Sequence, residues 1–415
     1  MTRLSILIPV LLLAVSQSSP PKPSDRAARV HAASLVIDTS IAIHLLFRPD
    51  FAVEHTNWQY DLPKARRGGV TAAVLMPGPE ELFVGDPRVG LTAPPPRGVK
   101  IMEFVFRGPD EVKRVLLEID ATHRVVEANP QTLQIARSAA DLEQAKRNGK
   151  LAFILGLKAA TIDRDLAVLR TYHRLGMRVL ALCHGPSLGW VSSSLELPAS
   201  GGGLDEFGRQ VIRECNRIGM IVDVSHASDQ SFWDTVETTR TPILASHSAA
   251  RALVQQQRNL TDDMIRALAR TGGVIGVPAV DGFVDSKLAH RWEETVDPDA
   301  FLAWQLGLRK KYPDPWQLMH VIRGPNSGEP PARKQAYLAP VARLIDHIDH
   351  IVKLVGIDHV GIGTDFDGGA GLAGFNNAAE WPNLTQALIE RGYSDEAVGK
   401  ILGGNFLRLF RAVAQ

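Results

Sequence analysis

Cysteine is nearly absent. The 415-residue chain has two, Cys183 and Cys215. One stands in an apolar strand-like run and the other in a helical stretch, so both read as buried free thiols, although an exported chain would permit a bridge. Net charge is equally scarce: 46 Lys and Arg against 45 Asp and Glu leave +1. A balance so close to zero argues against nucleic acid or an anionic membrane as the main partner. Long hydrophobic runs are missing beyond the N-terminus, and the run there, Leu4–Val15, is too short to span a bilayer comfortably. No solenoid repeat and no low-complexity tract beyond a short linker occurs.

What is present is an ordinary globular composition, 45% hydrophobic and 22% charged, enough for one barrel-sized domain or two smaller ones. The start differs. Met1-Thr2-Arg3, the apolar run and then small residues from Ser16 make a secretory signal peptide over residues 1–16, cleaved near Ala14-x-Ser16. That implies an exported protein, periplasmic or secreted, with an uncleaved anchor as the other outcome. No Cys follows the run, so a cleaved N-terminus has no acceptor for lipid. Residues 17–29 read as a polar, Pro-rich linker, and residues 30–415 as the folded domain.

Eight short apolar runs follow: Ser34–Ile37, Val70–Met76, Leu151–Leu157, Val179–Cys183, Met220–Val224, Ile243–Ala245, Val274–Val277 and Val360–Gly363. Helical patterns fall between them at Ala139–Arg147, Asp163–Leu175, Asp205–Ile218, Asp229–Thr238, Thr261–Thr271 and Leu338–Val355. Asp163 and Thr261 are suitable N-caps, and Gly176, Gly219 and Gly272 suitable stops. Eightfold strand–helix alternation predicts a (β/α)8 TIM barrel of the α/β class; a doubly wound sheet holds as many strands. Pro77–Gly98 reads as a long loop. Asp281–Lys334, with Trp292, Trp304 and Trp316, reads as a long insertion between strands seven and eight. In a barrel both lie on the face where loops shape the pocket.

Two of the runs end alike, in Ser225-His226 and Ser246-His247. Adjacent parallel strands would put these imidazoles about 5 Å apart at the ligand-facing rim. That suits two ligands on one metal ion, or two core histidines bonded to backbone. His184 ends a third run. Asp365 ends the eighth and is placed to be a ligand or general base, while Asp367 reads as structural. Arg258 has the guanidinium for a bidentate grip on a carboxylate, or for a surface salt bridge.

Residues 30–412 resemble the membrane (renal) dipeptidase family of metallopeptidases. The matching stretches include Asp61-Leu62-Pro63, Gly203-Leu204-Asp205-Glu206-Phe207-Gly208, Val222-Asp223-Val224-Ser225-His226, Ser246-His247-Ser248-Ala249-Ala250-Arg251, Arg258-Asn259-Leu260, His347-Ile348-Asp349-His350 and Gly403-Gly404-Asn405-Phe406. The resemblance implies a two-zinc barrel that hydrolyses dipeptides. It implies His226, His247 and Asp365 as metal ligands, His184 as the group polarising the scissile carbonyl, and Arg258 as the holder of the substrate carboxylate. Relatives are often dimers, which leaves a homodimer open here.

The chain also departs from that family. Where a first-strand His-x-Asp is expected it has Ser40-Ile41-Ala42, and where a bridging Glu is expected it has Lys158. Ala42 cannot coordinate, and a charged Lys158 repels a cation. What survives, two histidines and one carboxylate, is the pattern of a mononuclear zinc with an open position. His44 could swing inward as a substitute ligand, and Lys158 could supply the missing charge by pairing with Asp365. The expected function is a hydrolase of dipeptides or small amides with one zinc, in which Asp365 serves as base or third ligand. A catalytically inactive small-peptide binding module is the alternative, and a barrel enzyme with metal-poor chemistry a third.

Overall fold

Runs that are apolar from end to end form strands buried on both faces, as a parallel sheet wrapped by helices requires. All seven residues of Leu151–Leu157 are buried, and so are all five of Ile37–Ile41, although Asp38, Thr39 and Ser40 interrupt the apolar pattern there. Nine strands form: β1 (Ile37–Ile41), β2 (Ala72–Leu75), β3 (Leu133–Ile135), β4 (Leu151–Leu157), β5 (Met177–Ala181), β6 (Ile221–Asp223), β7 (Leu244–Ala245), β8 (Val274–Val277) and β9 (Val360–Ile362). Every pairing is parallel. Because β4 pairs with β2 and β9 with β1, eight of them close a ring, the expected (β/α)8 barrel. The ninth, β3, lies beside the first residues of β4, below the point where β5 takes over at Leu155. It carries too few apolar residues to be read from the sequence.

The structure is a computed structural model that describes residues 23–56, 58–77, 111–184, 187–194, 202–289 and 338–414, with positions 307, 310 and 311. The signal segment over 1–16, the 77–98 loop beyond Pro77, and residues 290–334 apart from 307, 310 and 311, with Trp292, Trp304 and Trp316, lie outside the described residues. Among the described residues no helix is long and apolar enough to cross a membrane.

Helix boundaries follow capping chemistry. Asp205 and Thr261 accept hydrogen bonds from Gly208 and Met264, and Gly219 ends its helix at φ 79°. Two expectations move. Asp163 and Arg164 take left-handed backbone, so that helix begins at Leu166, capped by Asp165. The linker read over 17–29 is helical from Asp25, because Ser24 caps it and bonds Gln386. A further helix, Glu111–Ala128, escaped the sequence pattern. Its buried face includes Arg114, Glu118 and Thr122, which dilute the apolar stripe. Cys183 and Cys215 are both buried and form no disulfide, as expected.

The barrel is tightest near its functional end. The Thr39 hydroxyl lies 2.7 and 3.1 Å from the carbonyl oxygens of Ser246 and Ile362 and shares its one hydrogen between them. A Cβ at Gly363 would stand 1.8 Å from the Ser246 carbonyl oxygen, and one at Gly276 2.2 Å from it. Both glycines are there for close approach.

Candidate active site

The barrel rim gathers the singled-out residues because each follows a strand by one to three positions. Lys158 follows β4, His184 follows β5, His226 follows β6, His247 follows β7 and Asp365 follows β9. His226 and Asp365 both hold left-handed backbone, φ 71° and 57°. Such conformations cost energy for non-glycine residues and persist where their surroundings impose them.

The two imidazoles stand side by side as the sequence predicted. Nε2 of His226 lies 2.9 Å from Nε2 of His247, and the ring centroids are 4.9 Å apart. The His184 ring meets the His226 ring edge-on at 4.3 Å. Burial holds the pKa values of His226 and His247 well below the ordinary imidazole value, with the nearby Arg258 charge adding to the effect. Both rings are therefore neutral at pH 7.

Arg258 lies above them, almost fully buried. One guanidinium nitrogen donates to the His247 carbonyl at 3.4 Å, and the group sits 5.3 Å from the Phe283 ring centre. Its Nε has no hydrogen-bond partner, and among the described residues no carboxylate stands within ion-pair distance. Burial lowers its pKa to about 10, which leaves it fully charged at neutral pH. Asp365 and Asp223 offset part of the burial cost from a distance, and a buried cation with no carboxylate in direct contact suits an incoming anion.

The other side of the rim holds the departures. The Lys158 ammonium donates to Asp365 at 3.0 Å, with both side chains buried. This is the pairing expected of Lys158. The backbone N–H of Asp365 donates to the Ser40 carbonyl at 2.8 Å, and the Ser40 hydroxyl is buried without a partner. His44 does not turn inward. β1 ends at Ile41, and His44 instead places Nδ1 3.6 Å from the buried Glu118 carboxylate. Asp367 is structural, accepting from Arg48 and from the backbone of Gln59 and Tyr60.

Two residues that sequence reasoning passed over organise this rim. Asp223 accepts from Ser225 N and Ser246 N through one oxygen and from the Ser246 hydroxyl through the other. Asp38 does the same with Ser40 N, Thr364 N and the Thr364 hydroxyl. In each case the clamped Ser or Thr immediately precedes a site residue, His247 or Asp365. The shared signal was Asp-x-Ser on a barrel strand, Asp38-Thr39-Ser40 within β1 and Asp223-Val224-Ser225 at the end of β6. Burial raises the pKa of Asp38 to about 7 against the donors that surround it.

Does this set suit metal? Among the described residues, no three His, Cys, Asp or Glu side chains gather at ligating distances. Asp365 is engaged by Lys158, and neither Ala42 nor an ammonium coordinates a cation, so no second set of ligands gathers among the described residues. The histidine pair suits one. A tetrahedral zinc about 2.1 Å from each nitrogen separates them by about 3.4 Å. The pair needs to open by only about half an ångström.

A family model described as membrane dipeptidase (peptidase family M19) matches residues 24–415. Dipeptidase tcpJ of Claviceps purpurea is 30% identical over 298 residues, 71% of this chain and 59% of that protein. Dipeptidase 3 of Rattus norvegicus is 31% identical over 312 residues, 74% of this chain and 53% of that protein. The chain thus spans a little over half the length of these curated relatives. Among solved structures, the probable dipeptidase PvdM from Pseudomonas aeruginosa is 28% identical with a TM-score of 0.71, covering 94% of this chain and 98% of that one.

Proposed function

Because the chain belongs to the membrane dipeptidase family, peptidase family M19, we propose that it hydrolyses a dipeptide or small amide ending in a free carboxylate, at a centre reduced to a single zinc. The carrying observation is Arg258, a buried guanidinium with an unmet Nε and no carboxylate partner among the described residues. It takes the substrate carboxylate and fixes the register of the amide against the histidines. His226 and His247 would hold the ion, and a zinc bound there would supply an activated water as nucleophile. His184, beside His226, faces the carbonyl oxygen and stabilises its developing charge. Lys158 places an ammonium on the far side of the pocket and holds Asp365 in place, where the carboxylate serves as base.

The test pairs free dipeptides with their C-terminal amides, using the full chain purified without chelator. The free forms should be turned over, and Arg258→Met should raise KM at least about tenfold, the equivalent of 1.4 kcal/mol. Zinc should not exceed one per chain and should vanish in His226→Ala/His247→Ala. Equal handling of amides would remove Arg258 from its role. A second reading rests on the Lys158–Asp365 ion pair, which occupies the carboxylate that chemistry needs. If dipeptides bind without turnover even after zinc is added, the chain is a small-peptide binding module.

A further inference from the structure

We infer that Asp223 is a positioning residue that sets the tautomer of His247 through the Ser246 hydroxyl, so that the His247 Nε2 lone pair faces the pocket. The argument is one of counting hydrogens. Ser246 Oγ lies between two partners, the Asp223 carboxylate and Nδ1 of His247, the latter at 2.8 Å. A hydroxyl has one hydrogen to give. The first Asp223 oxygen already accepts from two backbone N–H groups at 2.9 Å each. The second accepts the Ser246 hydrogen. Oγ then offers a lone pair to His247, so Nδ1 carries the ring proton and Nε2 is bare.

The neighbour agrees with this polarity. With His247 Nε2 bare, the bond between the two Nε2 atoms is donated by His226. That leaves His226 Nδ1 without a proton, and this atom is buried with no partner. A bare ring nitrogen there leaves an unmet acceptor and avoids the worse case of a buried, unmet N–H.

The barrel contains an independent control. At the twin clamp, Thr364 Oγ1 is 2.6 Å from Asp38 and 3.1 Å from Phe366 N. A backbone N–H can only donate, so the Thr364 hydrogen must point at Asp38. At Asp223 the Ser246 hydroxyl is held against the carboxylate in the same way, with Nδ1 of His247, a ring atom of the next residue, in place of the Phe366 backbone N–H. Burial raises the pKa of Asp223, while its hydrogen-bond donors and the Arg258 charge favour the ionised form.

The inference deepens the proposed site, since a bare Nε2 is what a metal ligand or a base requires, but its readout involves neither substrate nor turnover. Chelator-treated full chain carrying ring-15N histidine is examined at pH 8, with the His247 signals among the 13 histidines identified by their loss in His247→Asn. In the unaltered protein His247 should show a protonated, pyrrole-type Nδ1 and a bare, pyridine-type Nε2. Asp223→Asn puts an amide N–H against Ser246, which must then give its hydrogen to Nδ1. The two nitrogen signals should exchange places. Ser246→Ala removes the relay and should abolish the single-tautomer pattern. A protonated Nε2 in the unaltered protein, or an unchanged ring in folded Asp223→Asn, overturns the inference. Should Asp223→Asn not fold, an unchanged ring in Ser246→Ala overturns it alone. These signal changes in a protein whose unaltered form shows no dipeptidase activity would count against the proposed function and leave the relay standing.

Discussion

At the scale of single residues, the rim is governed by charges kept out of water. Lys158 and Asp365 are each tolerable because the other is present. Removing one partner leaves an uncompensated buried charge, so Lys158→Met should destabilise the protein by about 3–5 kcal/mol. Urea unfolding measures this directly, and a loss below about 1 kcal/mol would mean that water reaches the pair. The sequence made this pairing legible because both residues stood at strand ends where cationic charge was expected. It also brought out the histidine pair. The clamps were harder to see. A strand-ending Asp looks the same whether it faces the pocket or its neighbour's backbone, and only the register of β6 with β7 decides.

At the scale of elements, strand–helix alternation was readable because parallel strands buried on both faces are continuous apolar runs. The first strand was misplaced toward its start, since Asp38-Thr39-Ser40 interrupts the apolar pattern while remaining buried. These polar residues stay inside because their groups find partners, Thr39 across the barrel and Asp38 on Thr364. Tight packing there makes Gly363 irreplaceable. A methyl group added at Gly363 meets backbone, which cannot rotate away. Gly363→Ala should therefore cost about 3 kcal/mol or more and lower Tm. Gly149→Ala, where nothing lies within 4 Å of the added carbon, tests left-handed backbone alone and should cost less.

At the scale of the whole molecule, stability should respond to pH from two directions. Asp38 ordinarily titrates at 3.8, and in the fold at about 7. A raised carboxyl pKa means that the folded state holds its proton longer, so this contribution is complete below pH 4 and is lost as pH climbs to about 7. The loss amounts to at most about 4 kcal/mol. Unfolding free energies of the unaltered protein and Asp38→Asn, taken from pH 4 to 8, should diverge in slope, the slope from Asp38 being absent in the variant. His226 and His247 act oppositely. Their depressed pKa values give stability that is present above pH 6.5 and is lost on acidification as the buried rings are forced to charge.

The clamps also sit where the ring is thinnest. β1 meets β9 at the single register pair Asp38–Ile362, and β6 meets β7 at the single pair Asp223–Leu244. The barrel is therefore two arcs, β1 through β6 and β7 through β9, and at each joint one carboxylate reinforces the few backbone hydrogen bonds that cross it. Lys158 and His226 belong to the long arc, while Asp365, His247 and Arg258 belong to the short one. Both functional pairs straddle the cut, so whatever binds between them staples the halves together. Occupancy of the pocket should then slow hydrogen exchange at the Ser246 and Thr364 amides, the stitches themselves.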